Sequence, residues 1–151
     1  MNEVLNIIVE ELKKKSVEFE LIDLTKRADP YKAFKTLIIK KSSGEYFVVL
    51  LPLDKKVDIK QLEKRYGSEI SFATAEEVKN VTGVEPGAVC PITLKIPLYI
   101  DDSAFRYKKI SVGSGDQSYS LAIEPRTLMK LTGAKISKFG RCPITPSENQ
   151  K

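Results

Sequence analysis

The sequence has no histidine and no tryptophan, and only two cysteines and two methionines among its 151 residues. Each absence removes a chemistry. Without histidine there is no Ser-His-Asp triad, no Cys/His zinc cluster and no imidazole general base within the chain, so no metal and no cofactor is expected. The two cysteines, Cys90 and Cys142, lie far apart, and the opening stretch "MNEVLNIIVEELKKK" carries acids where a signal peptide needs bases. They are therefore expected to be reduced thiols of a cytoplasmic protein. Long hydrophobic runs are missing too. The longest, Tyr46 to Leu53, contains Pro52 and is far too short to cross a bilayer, so no membrane partner is expected.

What is present suits one compact domain over residues 1–151, since 42% of the chain is hydrophobic, with a loose tail from about residue 142. Lys plus Arg number 25 against 20 Asp plus Glu, a net charge of +5. That balance favours an anionic partner such as nucleic acid, although lysine-rich surfaces also serve solubility.

Hydrophobic spacing places the elements. Leu5, Ile8, Val9 and Leu12 recur at helical intervals over residues 3–15, with lysines in the last turn. Residues 19–23 read as a short strand, and "KTLIIKKSSGEYFVVLLPLD" as a hairpin turning at Ser42 to Glu45. Asp58 can cap a helix that Gly67 ends, and Thr74-Ala75-Glu76-Glu77 is a capping box opening another that ends near Gly83. "PLYIDD", "KKISVGSG", "YSLAIE" and "AKISKF" are further strands, with a Pro125-led helix before the last. Strands cluster and helices do not alternate regularly with them, which predicts an α+β fold rather than a doubly wound sheet.

Three features are candidates for chemistry, each with an ordinary structural alternative. Lys35 opens an otherwise apolar strand. It is either a strand-end lysine reaching to water or a cation on a pocket floor, where it would hold a carbonyl oxygen or a phosphate. "VTGVEPGAVCP", residues 81–91, concentrates two glycines and two prolines. It is either a helix-to-strand connection or a stiffened loop whose N–H groups face a ligand. Gly113-Ser114-Gly115 is either a tight turn or a second backbone donor site.

The three together are more specific than any one of them. Lys-Thr-Leu on a strand, then Gly-x-x-Pro-Gly-x-Val-x-Pro after a helix, then Val-Gly-x-Gly, then a Pro-led helix ending in Leu-Thr-Gly, resembles the YbaK and prolyl-tRNA-synthetase-associated domain family. The resemblance runs from about Phe34 to Ala134. It implies a mixed, barrel-like sheet surrounded by helices, and an aminoacyl-tRNA deacylase that hydrolyses the ester joining a wrong amino acid to the tRNA 3′ end. The family's essential lysine falls on Lys35. Its glycine-proline loop falls on Gly83, Pro86 and Gly87, and its later glycine motif on Gly113, Ser114 and Gly115, all expected to bind substrate. The resemblance further implies a water held by the substrate's own ribose hydroxyl and by backbone groups, which removes the need for histidine. Two departures bear on substrate: the segment "FELIDLTKRADPYKAF" is shorter than in typical members, and Ser120 stands where a polar or acidic side chain often precedes the penultimate strand.

The expectation is thus a free-standing editing hydrolase with aminoacylated tRNA as partner, and an aminoacyl-tRNA synthetase as a further partner. Lys55, Lys56 and Lys60 are candidates for acceptor-stem phosphates. The rivals are a non-catalytic tRNA- or synthetase-binding module of the same fold, and a small-molecule hydrolase using Cys90 as nucleophile.

Overall fold

A computed structural model describes residues 2–138 of the chain. Cys142 and the tail expected from about residue 142 lie outside the described residues.

Helix α1 spans Glu3–Lys14, capped by the Asn2 side chain, which accepts the Leu5 N–H at 2.9 Å. Its apolar stripe, Leu5, Ile8 and Leu12, is fully buried. Strand β1 (Glu20–Asp23) leads to the long hairpin of β2 (Lys32–Lys41) and β3 (Tyr46–Pro52), followed by α2 (Ile59–Tyr66), β4 (Ile70–Phe72) and α3 (Ala75–Thr82). After an irregular stretch come β5 (Leu98–Asp101), β6 (Ile110–Gly113), β7 (Tyr119–Ile123), α4 (Pro125–Thr132) and β8 (Lys135–Ser137).

All eight strands among the described residues join one mixed sheet in the order β1-β7-β6-β2-β3-β5-β8, with β4 also paired to β2. The chain has the α+β fold that the element pattern predicts, with the mixed central sheet that the resemblance implies. Strand β3 is apolar along its length because both of its faces are covered. Val48 and Leu50 join a core with Ile8 and Leu12 of α1, Val78 of α3 and Leu128 of α4. Phe47, Val49 and Leu51 join a second with Leu62 of α2 and Ile70 of β4. No helix among the described residues is long and apolar enough to cross a membrane.

One irregularity of pairing positions the site. On one edge β2 pairs with β3 over Phe34 to Lys40. On the other edge it meets β6 at Lys32 and Ala33, and β4 at Ile39 to Lys41. Between these partners, residues 34–37 have no strand on that edge. The Ala33 carbonyl accepts the Leu53 N–H at 2.9 Å on the β3 side, whereas the Ile38 carbonyl accepts the Ala73 N–H at 3.0 Å on the other. Backbone groups alternate in direction along a strand, so those of Phe34 and Thr36 point into the gap.

Candidate functional site

The gap opens into a cleft of about 440 Å³. Its floor is Ala33 to Leu37 of β2, and its walls are Pro86, Gly87 and Val89 on one side and Ser111 to Gly113 of β6 with Tyr119 and Ser120 of β7 on another. Leu24, Asp29, Leu53 and Gln117 complete the lining.

The Pro-Gly loop owes its shape to local chemistry. Gly83 ends α3 in the left-handed conformation, at φ 81°, with its N–H on the Lys79 carbonyl. Pro86 opens a short 3₁₀ turn over Pro86–Ala88, in which the Ala88 N–H donates to the Glu85 carbonyl at 2.9 Å. The turn is then clamped to the end of β6. The Ala88 carbonyl accepts the Gly115 N–H at 2.7 Å, and a Cβ on Gly113 would lie 2.1 Å from the Val89 carbonyl oxygen. The two glycine motifs are therefore two halves of one contact: Gly113 lacks a side chain so that the 88–89 backbone can lie against it.

Of the residues singled out from the sequence, Lys35, Pro86, Gly87 and Gly113 come together at the cleft. Gly83, Ser114 and Gly115 do not line it. Gly83 is a helix stop. Ser114 is fully buried and its hydroxyl lies within hydrogen-bonding distance of the Tyr119 carbonyl at 2.7 Å and the Asp116 carbonyl at 2.9 Å, which closes the β6–β7 turn. Gly115, at φ 93°, donates its N–H to the Ala88 carbonyl and accepts the Asn2 side-chain N–H at 2.7 Å on its own carbonyl, and so ties the start of α1 to the loop. These backbones shape the wall. Lys55 lies 3.9 Å from the buried Asp101 carboxylate, whereas Lys56 and Lys60 are exposed.

Lys35 is half-buried in the cleft floor, where loss of water lowers its pKa; the Asp54 carboxylate opposes that shift and Lys56 adds to it. Beside it, Thr36 is only 9% exposed and its hydroxyl has no hydrogen-bond partner. Cys90 is 3% exposed, and burial pushes its thiol up to about 12. A thiol so protonated at neutral pH is a packing residue rather than a nucleophile.

Sequence reasoning missed an acid. Asp29 reaches the cleft from the short segment before β2, and accepts the Ser120 hydroxyl at 2.9 Å on Oδ2 and the Tyr31 N–H at 2.9 Å on Oδ1. Ser120 also hydrogen-bonds Ser111, which is 1% exposed. The segment is pinned by Glu20, which takes Arg27 at 2.7 Å and the Tyr31 hydroxyl at 2.5 Å. The available signals were Asp29-Pro30 directly before a strand, and a serine among the apolar residues of "ISVG".

Comparison with known proteins bears on this cleft. The model of the aminoacyl-tRNA editing domain family matches residues 21–131, which span every lining residue. The chain belongs to that family. A protein of Enterococcus faecalis named as a Cys-tRNA(Pro)/Cys-tRNA(Cys) deacylase, EbsC, is 25% identical over 109 residues, covering 70% of this chain and 66% of that protein. Proline--tRNA ligase of Staphylococcus aureus is 32% identical over 89 residues, covering 58% of this chain and 16% of the ligase. The match therefore spans less than two thirds of these relatives' own length. Among solved structures, the hypothetical protein APE2540 superposes with a TM-score of 0.79 at 26% identity, over 89% of this chain and 99% of that one. A structure named as a trans-editing enzyme for prolyl tRNA synthetase shares the fold, with a TM-score of 0.79 at 19% identity over 94% of this chain and 99% of the other.

Proposed function

We propose that this member of the editing-domain family is a hydrolase of the cytoplasm that clears mischarged tRNA by cleaving the aminoacyl ester. One observation carries the reading: the cleft combines a half-buried lysine, an unpaired strand edge and a rigid Pro-Gly wall, all within the family-matched residues. In this reading water attacks the ester carbonyl, the bond to the ribose oxygen breaks, and the products are a free amino acid and a tRNA with its 3′-terminal hydroxyl restored. The Lys35 ammonium offsets negative charge on the carbonyl oxygen or on the terminal phosphate. Backbone groups of Phe34 and Thr36 and the Pro86–Gly87 turn hold the aminoacyl-adenosine end, and an aminoacyl-tRNA synthetase is the natural source of the mischarged substrate.

The test is release of labelled amino acid from a panel of aminoacyl-tRNAs. The relatives' names put Cys-tRNA(Pro) first and the other mischarged forms of tRNA(Pro) next. Hydrolysis of at least one species, lost in Lys35→Ala, is expected. Tight binding of tRNA with no release from any species would overturn the reading in favour of a non-catalytic binding module.

A further inference from the structure

The Asp29 corner of the cleft has a polarity that the proposed function does not use. Each serine hydroxyl has one proton to give. The Ser120 proton goes to Asp29 Oδ2 at 2.9 Å, so in the Ser111–Ser120 contact Ser111 must be the donor. Both hydroxyl protons are thereby directed toward the carboxylate. What these side chains still offer to the cleft is lone pairs only, on Asp29 and Ser120, since Ser111 is buried. The corner accepts hydrogen bonds and has none of its own to donate.

It also carries a charge that the protein leaves unmatched. The cations nearest in sequence are engaged elsewhere: Arg27 lies 2.7 Å from Glu20, Lys26 is 3.9 Å from Asp23, and Lys32 is 3.0 Å from Asp54, while Lys108 and Lys109 line a separate groove with Pro30 and Tyr31 and form no ion pair with Asp29. Among the described residues no lysine or arginine pairs with Asp29. Asp29 is the one acidic residue of the described lining and Lys35 the one basic residue, so the cleft has an acceptor corner and a donor floor.

Resting on the reading above, we infer that Asp29, held by Ser120 and Ser111, binds the α-ammonium group of the aminoacyl moiety, so that the site requires a free α-amine. An ammonium supplies the donors that the corner lacks and the positive charge that Asp29 lacks. In an aminoacyl ester it sits one carbon from the carbonyl, and its capture would orient that carbonyl. A neutral ribose hydroxyl would meet only the first of these needs.

The experiment takes the aminoacyl-tRNA that the full-length protein hydrolyses fastest and compares it with the same tRNA after N-acetylation, using the wild type, Asp29→Asn and Ser120→Ala. The expected result is about tenfold to a hundredfold faster release from the free amine by the wild type, the usual worth of a hydrogen bond to a charged group. Asp29→Asn should slow the free-amine substrate by a similar factor and bring the two substrates to nearly equal rates. Ser120→Ala should narrow the difference in part. Comparing two substrates in one variant separates recognition from folding, and bulk alone would leave the ratio intact in Asp29→Asn. Equal wild-type rates, or an Asp29→Asn defect that slows both substrates in proportion, would overturn the inference and leave the proposed function standing. No release from any charged tRNA would overturn that function and the inference with it.

Discussion

Lys35 and Thr36 are chain neighbours with opposite problems. Lys35 is a cation partly stripped of water in the cleft floor; its removal therefore relieves a desolvation cost and breaks no ion pair seen among the described residues. Lys35→Ala is expected to melt at or above the wild-type temperature while deacylation falls by about two to three orders of magnitude, the usual effect of deleting one charge-stabilising donor. Lys35→Arg should also fail, because a planar fork does not replace a compact ammonium in a confined site. Undiminished turnover in a folded Lys35→Ala would show that the lysine merely reaches for water. Thr36 carries a buried hydroxyl with no partner, a group whose unsatisfied burial costs about 1–3 kcal/mol. Thr36→Val keeps the shape and removes that group, so Tm should rise by a few degrees, at about 2–4 °C per kcal/mol for a chain of this size. A fall in Tm would mean that the hydroxyl is satisfied in solution. Asp29 did not stand out in the sequence, and Thr36 entered only as the middle residue of Lys-Thr-Leu, with no role of its own. A threonine on a strand and an aspartate in a loop become notable only when distant segments bring them to one cleft.

The helices and the hairpin could be read from local signals because their chemistry is local. Asp58, Thr74 and Pro125 open helices and Gly67, Gly83 and Gly133 close them, as spacing and capping rules predict. Strand β4 escaped because it has three residues and only one of them, Ile70, is buried, which leaves no alternation to detect. The Pro-Gly loop was recognisable as a special backbone, but its partner was not, since the contact with Gly113 joins segments far apart in the chain. That contact separates two glycines that the motif treats alike. A Cβ on Gly113 would strike the Val89 backbone, whereas one on Gly87 meets nothing within 4 Å. Gly113→Ala should therefore lower Tm markedly, since overpacking typically costs about 1–3 kcal/mol. Gly87→Ala should melt like the wild type and lose hydrolysis if the turn closely approaches the substrate; thermal melts beside deacylation rates decide. The capping box of α3 sets a pH dependence. Glu77 hydrogen-bonds Lys40 at 2.6 Å and the Thr74 N–H at 2.9 Å, which lower its pKa from 4.5 to about 2. A carboxylate held below its unfolded value stabilises the fold fully above 4.5, and that contribution disappears as pH falls toward 2. The Tm difference between wild type and Glu77→Gln should accordingly be constant near neutrality and shrink between pH 4.5 and 2; a difference independent of pH would show that the Lys40 bond is immaterial in solution.

The mixed sheet was implied only by the family resemblance, whereas the α+β class was predictable because strand and helix signals clustered rather than alternated. The cleft was not, because it is a missing stretch of pairing along β2, set by where β6 and β4 stop, and no local pattern records where a neighbour ends. Charge distribution remains the property that composition states most directly and structure refines. The net charge is +5, yet Lys55 is drawn toward the buried Asp101, so the cations of this segment that remain exposed to a polyanion are Lys56, which acts electrostatically on Lys35, and Lys60. Phosphate contacts release counterions from the nucleic acid, so affinity for uncharged tRNA should fall steeply as salt rises, with each lost contact reducing the log–log slope by about one. Replacing Lys56 and Lys60 together by glutamate should weaken binding and flatten that slope. Lys35→Ala should alter the slope by no more than the single contact it could make with the terminal phosphate. Filter-binding or anisotropy titrations across a salt series would measure both. A slope unaffected by the double replacement would place the tRNA body on another face, and a salt-independent affinity would confine recognition to the aminoacyl-adenosine end within the cleft.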